Sequence, residues 1–362
     1  MTEEQRELET RIQQLDAKQQ SIKIYLNSIY GYFGNKQAPI GDDDIASSIT
    51  LTGQAIIKRA RDIGFEFVKK NCTRSDLTLE HVAIYNDTDS CFFSLQDIPI
   101  EFFRDGSVTD EAHEYINALN NEINTDINKW CKKAFNSKDC RILFKREKIC
   151  DVGLFLEKKR YVVHILDEEG IGCNKWKYTG VEIARTTMPK PVKSHVKRII
   201  ETMLSTQSQS KTNVVVSEAY DIFKTLPIED IAINSGIKIY EKYASKCHEF
   251  KVAKGVPMHV KASYFYNLLL EKMNLAGKYE KITSGDKIKM YRVQEPNKYG
   301  IQAIAFKYAL PEELKTVLPI DRETMFEKIV FSVVERFYQA VNWTPRKPSQ
   351  QVQLELDDLF GN

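Results

Sequence analysis

Two aspartates separated by a single residue, Asp87 and Asp89, lie in the run Tyr85-Asn86-Asp87-Thr88-Asp89-Ser90. Carboxylate oxygens are the ligands that hard divalent cations prefer. Two such cations ~3.5–4 Å apart can clamp the attacking and leaving oxygens of a phosphoryl transfer. In an extended backbone, residues two apart project from the same side, which would put both carboxylates on one face. An apolar run precedes the hexapeptide (His81-Val82-Ala83-Ile84) and another follows it (Cys91-Phe92-Phe93-Ser94-Leu95). That pattern predicts two strands joined by a tight polar turn. Asn and Asp are also the default turn residues, so the hexapeptide alone equally describes an ordinary Asp-rich turn.

Two further groups have chemical potential. Lys23, Asn27, Tyr30 and Gly31 share one helical face, offset by about 100° from the apolar seam of the same segment. A cation, an amide and an aromatic ring on one stripe can hold a triphosphate and stack on a sugar and base, or be plain surface. Between Lys129 and Arg160 stand eleven bases against four acids (Asp139, Glu147, Asp151, Glu157). Such an excess tracks a phosphate backbone or forms a solvated helix face.

The positioning elements follow from periodicity. Leu8, Ile12, Leu15, Gln19, Ile22, Leu26 and Ile29 form a heptad seam, predicting one helix over 3–30. The seam has no partner in the chain that follows, which points to a second copy or another protein. Gly31 to Asn35 should break this helix. Asp43 or Asp44 should cap a helix over 45–70, with Ile49, Gly53, Ile56, Ile57, Ala60 and Ile63 on its buried side. An amphipathic helix is expected over 110–138 and strands over 141–148, 161–166 and 178–185. A helical, Lys-rich region should start at Pro189, with a polar loop over 205–213, strands over 281–293 and 300–306, and a helix over 321–341.

Composition bounds the classes. At 362 residues and net charge +2, the chain has room for two or three cores and no global basic excess. No apolar run approaches the ~20 residues of a membrane span, so no membrane association is expected. The charged N-terminus does not read as a signal peptide. Seven cysteines without a Cys-x-x-Cys pair predict reduced thiols, not a zinc site or disulfide framework.

Three motifs in order carry a family resemblance. Lys23-Ile24-Tyr25-Leu26-Asn27-Ser28-Ile29-Tyr30-Gly31 resembles the Lys-x-x-x-Asn-Ser-x-Tyr-Gly signature of family B DNA polymerases. Tyr85 to Ser90 is similar to their Tyr-Gly-Asp-Thr-Asp-Ser motif, and Lys158-Lys159-Arg160-Tyr161 to their Lys-Lys-Arg/Lys-Tyr motif. The remainder most resembles the replicative polymerases of T-even-type tailed phages. The resemblance implies an α+β fold: a second fingers helix at 1–35, a palm with an antiparallel sheet at 36–188, a mostly helical thumb with a small β element at 189–344, and a tail at 345–362. It implies Asp89 and Asp87 as catalytic ligands of two Mg²⁺ ions, with Mn²⁺ as a possible substitute. It implies Lys23, Asn27, Tyr30, Thr88 and Ser90 as dNTP contacts, and Lys158, Lys159, Arg160, Tyr161, His259 and Lys261 as primer-template contacts. Gly180-Val181-Glu182 resembles an element just before the thumb, where Glu182 reads as a structural carboxylate or a further ligand.

The sequence departs from the family in two ways. Asn86 stands where the family has Gly, a position where tolerance of positive φ would preserve the turn. The family's Asp-x-x-Ser-Leu-Tyr-Pro-Ser motif, which brings a third carboxylate, is absent. The expectation is therefore the C-terminal half of a split polymerase whose partner brings that aspartate and the 3′–5′ exonuclease. The tail's Leu356, Leu359 and Phe360 should dock in a sliding clamp. The implied location is the cytoplasm of a phage-infected host cell, without secretion. The competing reading is a non-catalytic scaffold that tethers a partner to DNA and the clamp, and a homodimer through residues 3–30 is a third.

Overall fold

The computed structural model describes residues 2–348. The chain forms two compact units, one up to Lys148 together with Glu169–Gly172, the other Ile149–Glu168 together with Cys173 onward. Helices and small antiparallel sheets build both, the α+β class expected.

The first unit opens with α1 (Glu3–Phe33). The Thr2 side chain accepts from Gln5 N at 3.2 Å, while Thr2 N donates to Gln5 Oε1 at 2.9 Å, a reciprocal cap that satisfies two orphan groups. The break expected over Gly31 to Asn35 falls within that stretch, after Phe33 and not at Gly31. A glycine inside a helix costs only ~1 kcal/mol, so α1 runs on to Phe33 and is capped by Gly34. None of its residues is buried.

Helix α2 (Asp43–Asn71) is capped by Asp42, whose carboxylate accepts from Asp44 N (2.9 Å) and Ile45 N (3.0 Å), and not by Asp43 or Asp44. Asp43 instead pairs with Lys36 at 2.9 Å. Its buried face is Ile56, Ala60, Ile63, Gly64 and Val68, one turn further along than expected, and Ile49 is 45% exposed. His81 and Val82 belong to a short helix, α3 (Leu79–Val82), instead of a strand. Then come β1 (Ala83–Asp87) and β2 (Ser90–Phe93), a ribbon β3 (Phe103–Arg104) with β4 (Ser107–Val108), and α4 (Asp110–Ala134). Ile56, Ala60 and Ile63 pack on Leu119, Ile123, Ile127 and Cys131 of α4. Arg59 clamps Asp126 across the same pair with Nε–Oδ1 at 2.9 Å and Nη2–Oδ2 at 2.8 Å. No strand forms over 141–147. The Asn124 side chain takes the place of a ladder there, donating to Phe144 O and accepting from Phe144 N, both at 2.8 Å.

Most of the second unit's first part is a three-stranded meander, β5 (Lys148–Glu157), β6 (Arg160–Glu168) and β7 (Ile171–Thr179), of which Lys148 and the turn at Glu169–Gly172 belong to the first unit. The connections Lys158-Lys159 and Glu169-Gly170 are two-residue hairpins. The strand expected over 178–185 stops at Thr179 because Gly180, at φ +63°, turns the chain out of the ladder into a single 3₁₀ turn at Glu182–Ala184. The loop expected over 205–213 shrinks to two residues between α5 (Lys190–Thr206) and α6 (Gln209–Thr225), where Gln207 is left-handed and Ser208 caps. Next follow α7 (Ile228–Ile231), β8 (Ile233–Gly236), α8 (Glu241–Ala244), β9 (Cys247–His248) with β10 (Lys251–Val252), and α9 (Met258–Lys272). Strands β11 (Lys287–Arg292) and β12 (Ala303–Phe306) complete a sheet in the order β12-β11-β8. After α10 (Glu312–Val317), the helix expected over 321–341 is three pieces: α11 (Arg322–Phe326), a π-turn at Glu327–Phe331 and α12 (Ser332–Ala340). Phe223, Tyr291, Phe306, Phe326, Phe337 and Tyr338 are fully buried in this unit's core. Among the described residues, no helix is long and apolar enough to cross a membrane. Leu356, Leu359 and Phe360 lie outside the described residues.

Candidate active site

The two aspartates sit at the end of the β1–β2 hairpin, in register Asn86↔Cys91 and Asp87↔Ser90. Asp87 ends the strand and is half-buried; Thr88 and Asp89 form the turn and are exposed. Thr88 has φ +51°, so the backbone is not extended there, and the same-face argument from strand periodicity does not apply. Instead Asp89 N donates to Asp87 O at 2.5 Å, closing a tight turn around Thr88. The Thr88 hydroxyl donates to Asp87 Oδ1 (3.1 Å) and the Ser90 hydroxyl to Asp87 O (3.3 Å). Thr88, not Asn86, carries the positive φ, so the Gly-to-Asn departure is not a backbone matter. Asn86 lies within the strand, its Oδ1 buried without a partner.

Two contacts seat this hairpin. The Tyr85 and Phe92 rings meet at 6.1 Å. Phe93 of β2 lies so close to Gly64 of α2 that a Cβ there would stand 2.4 Å from its Cε1. Sequence reading missed Gly64, although a glycine facing the core in mid-helix is the available signal. Burial pushes the Cys91 thiol up to about 12, which leaves it inert at neutral pH.

Lys23, Asn27 and Tyr30 all lie on the exposed surface of α1. In the second unit, Lys158 and Lys159 form the exposed β5–β6 turn, with Lys159 at φ +62°. Tyr161 packs on Phe155 at 5.2 Å. Arg160, named as a DNA contact, is engaged internally: its Nη2 meets both Glu182 carboxylate oxygens at 2.7 Å, and its Nη1 meets Glu157 at 3.0 Å. Gly180 closes on the same turn, where a Cβ would lie 1.9 Å from Lys159 O. Arg336 also reaches Glu182 (Nη1–Oε1 2.5 Å) from 154 residues away, a partner no local pattern could announce. His259 and Lys261 are half-buried in the first turns of α9, and burial lowers the His259 pKa below its ordinary value. Among the described residues, no group of three or more His, Cys, Asp or Glu side chains converges as a metal site.

Comparison with known proteins agrees with the family resemblance. The model of DNA polymerase family B matches residues 1–341. The DNA-directed DNA polymerase of Escherichia phage RB69 is 25% identical over 307 residues, 78% of this chain and 32% of that protein. That of Enterobacteria phage T4 is 25% identical over 371 residues, 96% of this chain and 39% of that protein. The DNA polymerase of Thermococcus gorgonarius is 24% identical, covering 91% of this chain and 35% of its own length. The chain therefore spans roughly a third of the length of the curated relatives it matches. With its family model matched along all but the last residues, the chain belongs to DNA polymerase family B.

Proposed function

We propose that this chain is the C-terminal part of a template-directed DNA polymerase that adds deoxynucleotides to a primer 3′-hydroxyl once a second polypeptide supplies the remaining catalytic carboxylate. In this reading residues 1–35 are a fingers helix, 36–188 the palm, 189–344 the thumb and 345–362 a clamp-docking tail. The hairpin carries the proposal: it sets Asp87, half-buried, at the end of its first strand and Asp89, exposed, in the turn that follows, with one residue between them. Two hard oxygen donors of this kind fit a divalent cation. Magnesium, or manganese in its place, would supply charge neutralisation on the transferring phosphoryl group. The protein's own share is positional. Asp87 and Asp89 hold the acidic pole on a strand pair seated by Gly64 and Phe93, and the Thr88 hydroxyl fixes the Asp87 carboxylate. Lys23 would meet the triphosphate, while Asn27 and Tyr30 border the sugar and base. Lys158, Lys159 and Tyr161 would hold the primer strand, and His259 and Lys261 the duplex, through sequence-independent phosphate contacts.

The need for a partner is supported by α1. Leu8 (62% exposed), Leu15 (52%), Ile22 (51%) and Leu26 (59%) line a helix of 31 residues that buries none of them. A seam of that length is satisfied by an apposed helix. An interface completing a palm should be obligate, beyond ~2,000 Å² and largely apolar.

The test is labelled-nucleotide incorporation on a primed template. The isolated chain should give none, and addition of a polypeptide carrying the rest of the family's fold should restore it. Synthesis by this chain alone would refute the split arrangement. Unchanged synthesis by a reconstituted Asp89→Ala complex would favour the non-catalytic scaffold.

A further inference from the structure

We propose that a cavity in the second unit, between the 182–187 turn and the α11–α12 helix, is a binding site for a phosphate-type oxyanion. The cavity, of about 260 Å³, is lined by Arg185, Lys328 and Arg336, by Thr187, by Ser332, whose hydroxyl donates to Lys328 O at 2.8 Å, and by one carboxylate residue, Glu182. At a liquid volume of ~30 Å³ per water, it has room for an oxyanion of several heavy atoms.

The charges in this cavity do not balance. Three cations face one anion, and that anion is already shared. Glu182, with its side chain 13% exposed, takes Arg336 at 2.5 Å and Arg185 at 3.6 Å. It also takes both 2.7 Å bonds from Arg160, whose Nε is buried with no partner. Among the described residues the Lys328 ammonium makes no hydrogen bond. Burial and then Arg292 lower its pKa, against the opposing pull of Asp321 and Glu327. Cations gathered around one spent carboxylate repel one another, and a bound anion removes that cost. Guanidinium forks with an ammonium and a neighbouring hydroxyl, here Thr187, are a donor set that tetrahedral oxyanions accept.

The backbone is unusual at the same place. Lys328 and Ile329 lie in the π-turn Glu327–Phe331, where the wider turn interrupts an otherwise α-helical segment. Single π-turns inside helices recur at functional sites. Free pyrophosphate and a backbone phosphate of nucleic acid offer the same chemistry. The site lies wholly in the second unit, so it stands apart from the two-carboxylate reading of the hairpin.

The experiment uses the full chain with Lys328→Gln and Arg185→Gln, each half-exposed or freer and neither involved in a tight ion pair. Thermal midpoints are measured with and without inorganic pyrophosphate, and duplex DNA affinity is measured across a salt series. Wild type should be stabilised by pyrophosphate or bind duplex. The variants should keep or raise the ligand-free midpoint, since each removes one repelling cation, and weaken binding at least about tenfold. Loss of the pyrophosphate shift alone assigns a free anion. A salt slope flatter by ~0.9 per removed charge assigns a backbone phosphate. Equal pyrophosphate shifts and equal salt slopes in wild type and both variants would overturn the site.

Discussion

Single side chains carry the proposed chemistry and much of the local electrostatics. Asp89, in the turn and exposed, holds up no core, so Asp89→Ala should leave folding intact within ~0.5 kcal/mol. In the reconstituted polymerase it should lower nucleotide incorporation by more than the ~10–100-fold typical of losing an outer-shell partner of a metal ligand. Glu182 is the opposite case. Burial pushes its carboxyl up, but its own backbone N–H, Arg160 and Arg336 together hold it below the ordinary carboxylate value. Glu182→Ala would leave Arg160 with only the exposed Glu157 and should cost ~3 kcal/mol, read by urea denaturation. Glu313 is held down to about 2, first by Lys278 (2.7 Å) and also by Tyr279 (3.0 Å). Both carboxylates bind protons less readily folded than unfolded. Their contribution is therefore complete above the ordinary range near 4.5 and drains away as pH falls toward 2. An acid titration of the wild type against Glu182→Gln should show a smaller loss in the variant over that window.

At the scale of elements, two glycines set the candidate machinery in place by what they lack. Gly64 lets α2 approach Phe93, and Gly64→Ala should overpack that contact by ~1–3 kcal/mol and displace the hairpin. Gly180 lets the segment after β7 lie against Lys159 O while adopting φ +63°. Gly180→Ala meets both a backbone clash and a disfavoured conformation, a cost of ~1–3 kcal/mol. It should also weaken primer-template binding by disturbing the Lys158-Lys159 turn, measured by anisotropy. Helix α1 behaves differently because none of its residues is buried in its own unit. Leu15→Asp should change the stability of the isolated chain by less than ~0.5 kcal/mol, yet abolish pairing with a second polypeptide in a sedimentation experiment.

At the scale of the whole molecule, the two units have separate cores and should unfold as separate transitions. Trp130 reports on the first, Trp176 and Trp343 on the second. With single-tryptophan variants, Gly64→Ala should shift only the Trp130 transition and Glu182→Ala only the other. One merged transition moved by both substitutions would show the units to be energetically coupled. What the amino-acid order fixed unaided was local in nature. Apolar spacing marked the long helices, turn residues marked the hairpins, and three short motifs in order marked the family. Even there, the strand expected over 141–148 was replaced by side-chain bonds from Asn124, and the helix expected over 321–341 was broken by a π-turn. Asn124 gives the N–H and C=O of Phe144 the partners a ladder would have given them, and the π-turn keeps its segment helical; neither choice is set by local pattern. The cation cluster on Glu182 joins residues 160, 182, 185 and 336, and the seat of the hairpin joins 64 and 93. No periodicity links such positions, because burial and charge act between residues near in space, and distance along the chain sets neither.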